Sequence, residues 1–283
     1  MSLNSVNTNS GAMIALQSLN RTNSQLAATQ KQISTGYRVA DATDDGAAYA
    51  VAQSVRSTVS ALTSANQQLG TVQGLLSTTQ SALNNVSNTM TKMRDVLVKL
   101  SDSDVSGTQR SQYQAQYTSL LANVNTFIQD AGYNGKTLIG NITGSSGTYG
   151  RVTTVRNESG ASYGIASFSG ASLITAITID FTTVTTAAAV SALISATGTF
   201  IQQMDNVGDG LNMVGSEVNY VNNQISYNSN KVDALNTGLG SLVDADLAKE
   251  SAALQSLQIR QQLGTQALSM ANQAPQTLLS LFK

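Results

Sequence analysis

Apolar residues recur every seven positions between Ala48 and Leu100, and this stretch carries the longest regular pattern in the chain. A pattern sustained over so many heptads is typical of a helix that packs in a coiled coil. No proline interrupts it, so it predicts one helix of roughly 80 Å at about 1.5 Å per residue. We expect its core row to be Val55, Leu62, Leu69, Leu76, Leu83, Met90 and Leu97.

A second long repeat, from Leu193 to Leu242, is the predicted partner of that helix. Asn228 occupies a position on its apolar seam, where a polar residue helps to fix the register at some cost in stability. A shorter heptad segment begins at Ser106, and its end is marked by Asn134-Gly135, a strong turn signal. Only a short loop, with Ser101 to Asp104, separates it from the long helix, which predicts an antiparallel helical hairpin. The core residues that we expect from the second repeat are Met204, Leu211, Val218 and Ile225.

The two ends of the chain carry weaker apolar stripes interrupted by amides. The first stripe, over residues 3–33, has almost no charge, and the last begins near Val243. A helix without a charged face is poorly suited to stand alone in water, so we expect the two ends to pack on each other. The predicted packing residues are Leu16, Leu19, Leu26, Ile33, Leu247, Leu254, Leu257 and Leu268.

The segment 34–46 breaks the first stripe. Gly36 suits the left-handed position that ends a helix, and Asp41, Asp44 and Asp45 stand where carboxylates favour the start of the next helix. A calcium loop is the alternative, but the aspartates lack the alternating spacing and the distal glutamate of an EF-hand. We therefore predict helix capping.

Residues 137–183 change to a period of two. Alternation, most clearly at Leu173, Thr175, Ile177, Ile179 and Phe181 and more weakly at Tyr163 and Ile165, predicts short strands joined by glycine turns. The fold class expected is therefore mainly α: a long antiparallel coiled-coil rod built from N- and C-terminal segments, with a small β-rich cap. The predicted parts are an inner terminal-helix domain with a connecting spoke (1–45 and 236–283), the rod (46–136 and 184–235) and the β-rich insert (137–183).

Composition excludes most enzyme classes. The 283 residues include no Cys, His or Trp, which removes thiol nucleophiles, disulfides, Cys/His zinc sites and Ser-His-Asp triads. Only 11% of residues are charged and the net charge is −1, so the sequence has no basic footprint for nucleic acid or an anionic membrane. We expect no enzyme activity, no cofactor, no metal site, no membrane span and no cleaved signal peptide.

Several stretches at the two ends closely resemble bacterial flagellin, most of all the short flagellins of alphaproteobacteria. The resemblance covers roughly residues 1–140 and 190–283, and the middle of the chain carries no family motif. The stretches are Leu3–Ile14 (LNSVNTNSGAMI), Gln32–Asp45 (QISTGYRVADATDD), Tyr133-Asn134-Gly135, and Leu242–Lys283 (LVDADLAKESAALQSLQIRQQLGTQALSMANQAPQTLLSLFK).

The resemblance implies a structural subunit that polymerises into the extracellular filament of the bacterial flagellum and serves swimming motility. In that family the terminal helices pair as an inner domain, and export runs through the flagellum-specific type III apparatus. The partners implied are further copies of the chain, other flagellins, the flagellar cap and junction proteins, and an export chaperone at the C-terminal helix. The family segment that an innate immune receptor recognises corresponds here to Lys92, Arg94, Asp95 and Val96.

Two alternatives stay open at this point. The nearer one is the hook-filament junction protein, which shares its terminal helices with flagellin; the LVDADLAKE run and the small insert favour flagellin. The other is a secreted enzyme or lectin on a helical stalk. Its active site would depend on carboxylates, and the Asp-rich segments of this chain fall at predicted caps and turns.

Overall fold

The computed structural model describes residues 8–105 and 107–281, with side chains up to residue 273. It is mainly helical, and the predicted start of the first helix at residue 3 lies outside the described residues. The elements are α1 Ser10–Thr35, α2 Gly46–Leu100, α3 Gly107–Gln129, β1 Gly132–Tyr133, β2 Lys136–Thr137, β3 Thr148–Tyr149, β4 Val152–Val155, β5 Ser162–Ile165, α4 Gly170–Ile177, α5 Ala187–Leu193, α6 Thr199–Val243 and α7 Leu247–Leu281. None of the described helices is long and apolar enough to cross a membrane.

The chain forms two compact units. The terminal unit comprises the residues up to Ser57 and those from Asp233 onward, and the central unit comprises Thr58–Val232. Both boundaries therefore fall inside helices, α2 and α6. The sequence suggests three parts instead of two. Their boundaries lie at 45/46 and 235/236, and residues 137–183 form a separate insert. This division stays a prediction.

The core of the central unit is built along α2. The predicted row of α2 is fully buried from Leu62 to Leu97, and the neighbouring row of the same helix, which runs in steps of seven from Ala65 to Leu100, is at most 6% exposed. α6 runs antiparallel to it, since Asn66 Nδ2 donates to Ser229 Oγ over 3.3 Å and Gln73 Nε2 donates to Asn222 Oδ1 over 2.7 Å. Side chains of α3, α4 and α5 close the same apolar cluster.

On α6 the fully buried row is not the one that we selected from the sequence. Val207, Val214, Val221 and Asn228 are at most 1% exposed. The selected residues Met204, Leu211, Val218 and Ile225 are half-buried at the edge of the same cluster. Both rows lie on one helix face, and only the position of the neighbouring elements decides which of them is enclosed. Val55 is half-buried and belongs to the terminal unit.

Asn228 is a buried polar residue whose side chain is fully hydrogen-bonded. Its Nδ2 donates to Asn66 Oδ1 and to the carbonyl of Arg156, both over 2.9 Å, and its Oδ1 accepts from Gln224 Nε2 over 2.9 Å. One amide therefore joins α2, α6 and the loop after β4. A shift in register would leave these polar groups without hydrogen-bond partners, so Asn228 aligns all three segments.

The β-rich segment consists of two small sheets. β1 and β2 form a hairpin whose two turn residues, Asn134 (φ 48°) and Gly135 (φ 73°), have the positive φ values of a type I′ turn. β4 and β5 form a second hairpin that lies on α6. There, the ring of Tyr163 stacks on Tyr220 with centroids 4.0 Å apart, and its hydroxyl donates to a Glu217 carboxylate oxygen over 2.7 Å.

The strand expected across residues 173–181 is wrong. Gly170–Ile177 forms α4, which starts at an N-cap where Ser169 Oγ accepts a hydrogen bond from Ser172 N–H. Leu173 and Ile177 are both fully buried, and their spacing of four residues also fits one helix face. A short apolar run satisfies both periods, and here the N-cap and the packing on α3 decide for the helix.

The terminal unit has a small core where the ends of its helices meet. Val39, Ala48, Ala52 and Val243 are buried there. The segment after α1 pairs with the segment after α6: Arg38 N–H donates to the Val243 carbonyl over 2.8 Å, and Ala245 N–H donates to the Gly36 carbonyl over 3.0 Å. We call this region, residues 31–57 and 233–250, the base.

The three aspartates of the segment between α1 and α2, Asp41, Asp44 and Asp45, have two different roles. Asp45 caps α2 as predicted, since its Oδ1 accepts from the N–H groups of Ala47 and Ala48 over 3.1 and 3.0 Å. Asp41 and Asp44 do not cap the helix; they form ion pairs with Lys31 Nζ at 2.7 and 2.8 Å. Hydrogen bonds from Lys31 lower the pKa of both carboxyls below the usual 3.8 and raise the pKa of Lys31 above 10.5.

Asn228→Ala is expected to destabilise the central unit by about 1–3 kcal/mol, because it removes the three hydrogen bonds of a buried amide and leaves Asn66 Oδ1 without the donor that Asn228 supplies. Asn222→Ala is the matched control: it changes the same residue type on the same helix, at an exposed position, and should cost about 0.5 kcal/mol or less. Urea unfolding followed by circular dichroism measures both. Equal losses in the two variants would contradict the role assigned to Asn228.

Lys31→Met is expected to move the pKa values of Asp41 and Asp44 up toward 3.8. In the folded wild type these values are lowered, so the ion pairs add stability above pH 3.8 and lose it as the pH falls through the folded-state pKa. Carboxyl-carbon NMR shifts against pH give each value. The lowered pKa of Asp180, which depends on hydrogen bonds from Thr182, should not change in this variant. Unchanged Asp41 and Asp44 would contradict the assignment.

Candidate assembly surface

α1 and α7 form an antiparallel pair with a defined register. Asn9 Nδ2 donates to the Ala271 carbonyl over 2.7 Å at one end of the pair. Further along, Gln261 Nε2 donates to Asn23 Oδ1 over 2.8 Å. Between these bonds a Cβ placed on Gly264 would lie 3.2 Å from Leu19 Cδ1, so the absence of a side chain there allows the helices to approach closely.

Local signals account for the ends of α1. At the start, Asn9 Oδ1 accepts a hydrogen bond from Ala12 N–H over 3.0 Å and caps the helix. At the end, Gly36 adopts the predicted left-handed conformation (φ 75°), and its N–H donates to the Gln32 carbonyl over 2.9 Å. The amide-rich sequence of α1 therefore forms a bounded helix without any charge in its first or last turn.

Most of the predicted packing residues of this pair are partly buried. Leu257 is 8% exposed. The half-buried members are Leu19, Leu26, Ile33, Leu254 and Leu268. Leu16 and Leu247 are 47% and 50% exposed, so the single chain does not cover them. Their burial stays a prediction that concerns the assembled protein.

A second set of apolar residues lies outside the predicted stripes and is exposed on the same two helices. Ile14, Ile259, Leu263 and Met270 are each at least 58% exposed, and Met13 is 60% exposed. Ile14, Ile259, Leu263 and Met270 were not predicted because they do not follow the row of seven-residue spacing, whereas Met13 stands on the first predicted stripe. Large apolar residues outside the stripe, in helices that carry almost no charge, are the signal that could have found them.

A groove of about 470 Å³ runs along one side of the pair. Its α1 wall includes Ser18, Arg21 and Gln25, and its α7 wall includes Arg260 and Leu263. Both arginines are exposed. The groove is therefore an open surface feature with two cations and an apolar contribution, and not an enclosed binding cavity.

The segment that corresponds to the innate-receptor site lies on α2. Lys92, Arg94 and Asp95 are exposed, whereas Val96 is 3% exposed and belongs to the apolar core of the central unit. Across residues 8–105 and 107–281, no group of three or more acidic side chains is placed to hold a metal ion.

Comparison with protein families matches two segments at the ends of the chain. Residues 6–143 match the bacterial flagellin N-terminal helical region, and residues 194–282 match the bacterial flagellin C-terminal helical region. Together these segments contain α1, α2, α3, β1, β2, α6 and α7. The unmatched stretch between them contains β4, β5 and α4.

Full-length relatives agree with the family match. The chain is 34% identical to flagellin FljK of Caulobacter vibrioides, with complete coverage of both proteins, and 33% identical to a flagellin of Brucella melitensis, with 99% coverage of each. A solved structure of a flagellar hook-associated protein from Vibrio parahaemolyticus superposes on 71% of this chain and all of that chain with a TM-score of 0.56. At 15% identity it shows a shared fold alone. The chain therefore belongs to the bacterial flagellin family, the structural subunits of the extracellular flagellar filament.

Proposed function

We propose that this subunit polymerises through the α1–α7 pair, whose exposed apolar residues become buried against neighbouring copies. The observation that carries the proposal is the uneven distribution of exposed apolar side chains. Twelve large apolar residues among those described are exposed; three lie in the central unit (Val98, Tyr133, Tyr227) and nine in the terminal unit. The nine are Met13, Ile14, Leu16, Tyr37, Val51, Leu247, Ile259, Leu263 and Met270.

Burial of these exposed apolar side chains supplies free energy for association. A large apolar side chain gains roughly 1.5–3 kcal/mol when it leaves water, so several of them on one helix pair favour association. Within the chain, α1 and α7 bury only one row each, and the buried set includes two threonines, Thr22 and Thr29. The pair is therefore weakly stabilised by itself, and neighbouring copies supply the missing apolar contacts.

The same surface is the proposed contact for other flagellar proteins. Other flagellins can add to the filament because they carry the same terminal helices. The flagellar cap and junction proteins are proposed to contact the subunit at the filament ends. An export chaperone is proposed to cover the C-terminal helix before assembly, because Ile259, Leu263 and Met270 leave one side of α7 apolar and exposed.

Recognition by the innate immune receptor is proposed to depend on three side chains, Lys92, Arg94 and Asp95, because these are exposed on α2. Val96 completes the sequence match but is buried in the core. Its contribution is therefore to hold the helix in place, and not to contact a receptor.

Ile259→Asp is expected to prevent polymerisation and to leave the helical content of the free subunit unchanged. Ile259 is 58% exposed in the subunit, so the carboxylate is solvated there, but it would lack a partner once buried between copies. Sedimentation of full-length protein onto sheared wild-type filaments measures assembly, and circular dichroism measures helix. Ile259→Leu is the matched control and should assemble. Normal filaments from the Asp variant would show that this side of α7 stays in water.

Leu257→Asp is expected to prevent polymerisation by a different route. Leu257 is 8% exposed, so an unpaired carboxylate there disrupts the α1–α7 pair inside each subunit. Hydrogen exchange should therefore be faster in α1 and α7 of this variant, whereas Ile259→Asp leaves it unchanged. If Leu257→Asp assembles as well as the wild type does, the pairing of these helices is not needed for the filament.

Limited proteolysis of the wild-type subunit is expected to remove the terminal helices first. Few side chains of α1 and α7 are buried, so local opening there costs little, whereas the central unit has a continuous core. In filaments the same sites should be protected. Mass spectrometry of the fragments gives the order of cleavage, and initial cleavage within 58–232 would contradict the proposal.

A further inference from the structure

The α1–α7 pair carries two charged residues along most of its length, and both are arginines. Between Ser10 and Gln30 the one charged side chain is Arg21, and between Ser251 and Leu281 it is Arg260. Both line the same groove. The two arginines lie at the level of the helix pair where Leu19 is close to Gly264 and where Gln261 bonds to Asn23. Two guanidinium groups of like charge therefore meet on one surface.

No carboxylate of the same helices is placed to neutralise them. The ion pairs found among the described residues involve Lys31 and Lys231 and neither arginine. A planar guanidinium binds a carboxylate by two parallel hydrogen bonds, and two guanidiniums on one groove concentrate positive potential there. The groove is therefore suited to acidic side chains that come from outside this part of the chain.

The base of the terminal unit has the opposite charge. Residues 31–57 and 233–250 contain four basic and seven acidic side chains, a net charge of −3. Four of the acidic groups are already engaged: Asp41 and Asp44 bind Lys31, Asp45 caps α2, and Asp246 Oδ1 accepts from the N–H groups of Ala248 and Lys249 at the start of α7.

Asp244 and Glu250 are acidic groups of the base that have no ion pair in the described chain. Asp244 is exposed, and a backbone bridge to Tyr37 places it level with the end of α1. Tyr37 follows Arg21 by sixteen positions, so at about 1.5 Å per residue the two levels are roughly 24 Å apart. Glu250 precedes Arg260 by ten positions on α7, roughly 15 Å, so neither carboxylate of one subunit reaches its own arginine groove.

We propose that the Arg21–Arg260 groove of one subunit binds the carboxylates of Asp244 and Glu250 of a second subunit. The inference rests on the proposed function, because it assumes that α1–α7 pairs meet in the polymer, and it adds the charged groups that align them. The two contact surfaces are different parts of the chain, so the contact is head-to-tail and can repeat without closing, as an open helical polymer requires. It also requires the two copies to be displaced by roughly 15–24 Å along the α1–α7 pair.

Charge reversal in full-length protein tests this contact. Arg21→Glu with Arg260→Glu makes the groove acidic, and Asp244→Lys with Glu250→Lys makes the opposing surface basic. Each double variant alone should require at least about a tenfold higher concentration to polymerise at low ionic strength, because like charges then meet at every contact. A 1:1 mixture should polymerise within about twofold of the wild-type concentration, because each acidic groove then meets a basic surface and each arginine groove meets native carboxylates.

The matched control is Lys136→Glu with Arg151→Glu, which makes the same change in net charge at two exposed residues of the central unit. This control should polymerise like the wild type, and mixing it with the Asp244→Lys, Glu250→Lys variant should not rescue that variant. Circular dichroism of each monomer confirms that the helices are intact. Sedimentation across a range of NaCl concentrations should show that the defects decrease as salt screens the repulsion.

The outcomes separate this inference from the function on which it rests. Wild-type assembly of either double variant, or a mixture no better than its components, overturns the arginine–carboxylate contact. If Ile259→Asp still blocks assembly in that case, the apolar contact between α1–α7 pairs stands and only the charged alignment is lost. Normal assembly of Ile259→Asp overturns the apolar contact itself.

Discussion

Two helices that pack on each other can cover only one face of each, and the terminal unit is built within that limit. α1 and α7 bury a single row, including Thr22, Thr29 and Leu257. The remaining faces of an isolated helix pair are ordinarily charged, yet these helices carry amides, hydroxyls and exposed apolar side chains. Such surfaces are compatible with a folded pair, but they gain free energy when another copy covers them. Polymerisation follows from this incomplete burial.

The central unit does not share that limit. Additional helices and a β hairpin lie around the row of α2 that runs from Leu62 to Leu97, and this row has no exposure. Polar groups that are enclosed there are paired with one another, as at Asn228 with Asn66 and the Arg156 carbonyl. Desolvation also raises the pKa of Tyr163 to about 12, together with its hydrogen bond to Glu217. This unit therefore has the burial needed to be stable within one subunit.

Charge has a different role in the two parts of the terminal unit. At the base, Lys31 binds two aspartates and fixes the turn between α1 and α2. On the helix pair, Arg21 and Arg260 share a groove that contains no carboxylate. An apolar contact alone allows neighbouring copies to pack at several displacements along the helix axis. A charged contact at one position along the helices specifies a single displacement. Because few residues of the chain are charged, each of these charged positions restricts the possible contacts more strongly.

The sequence by itself determined the long helices, several of their ends and the family. Heptads predicted α2 and α6, glycine predicted the end of α1 at Gly36, and Asn134-Gly135 predicted the hairpin turn, because each of these signals depends on local geometry. Tertiary structure decided which of two rows on α6 is enclosed, that Gly170–Ile177 is a helix, and that Asp41 binds Lys31. Some of these outcomes depend on neighbours that are distant in sequence. Others depend on a choice between a helical and a strand spacing that the same residues both fit. A local pattern contains no information about either.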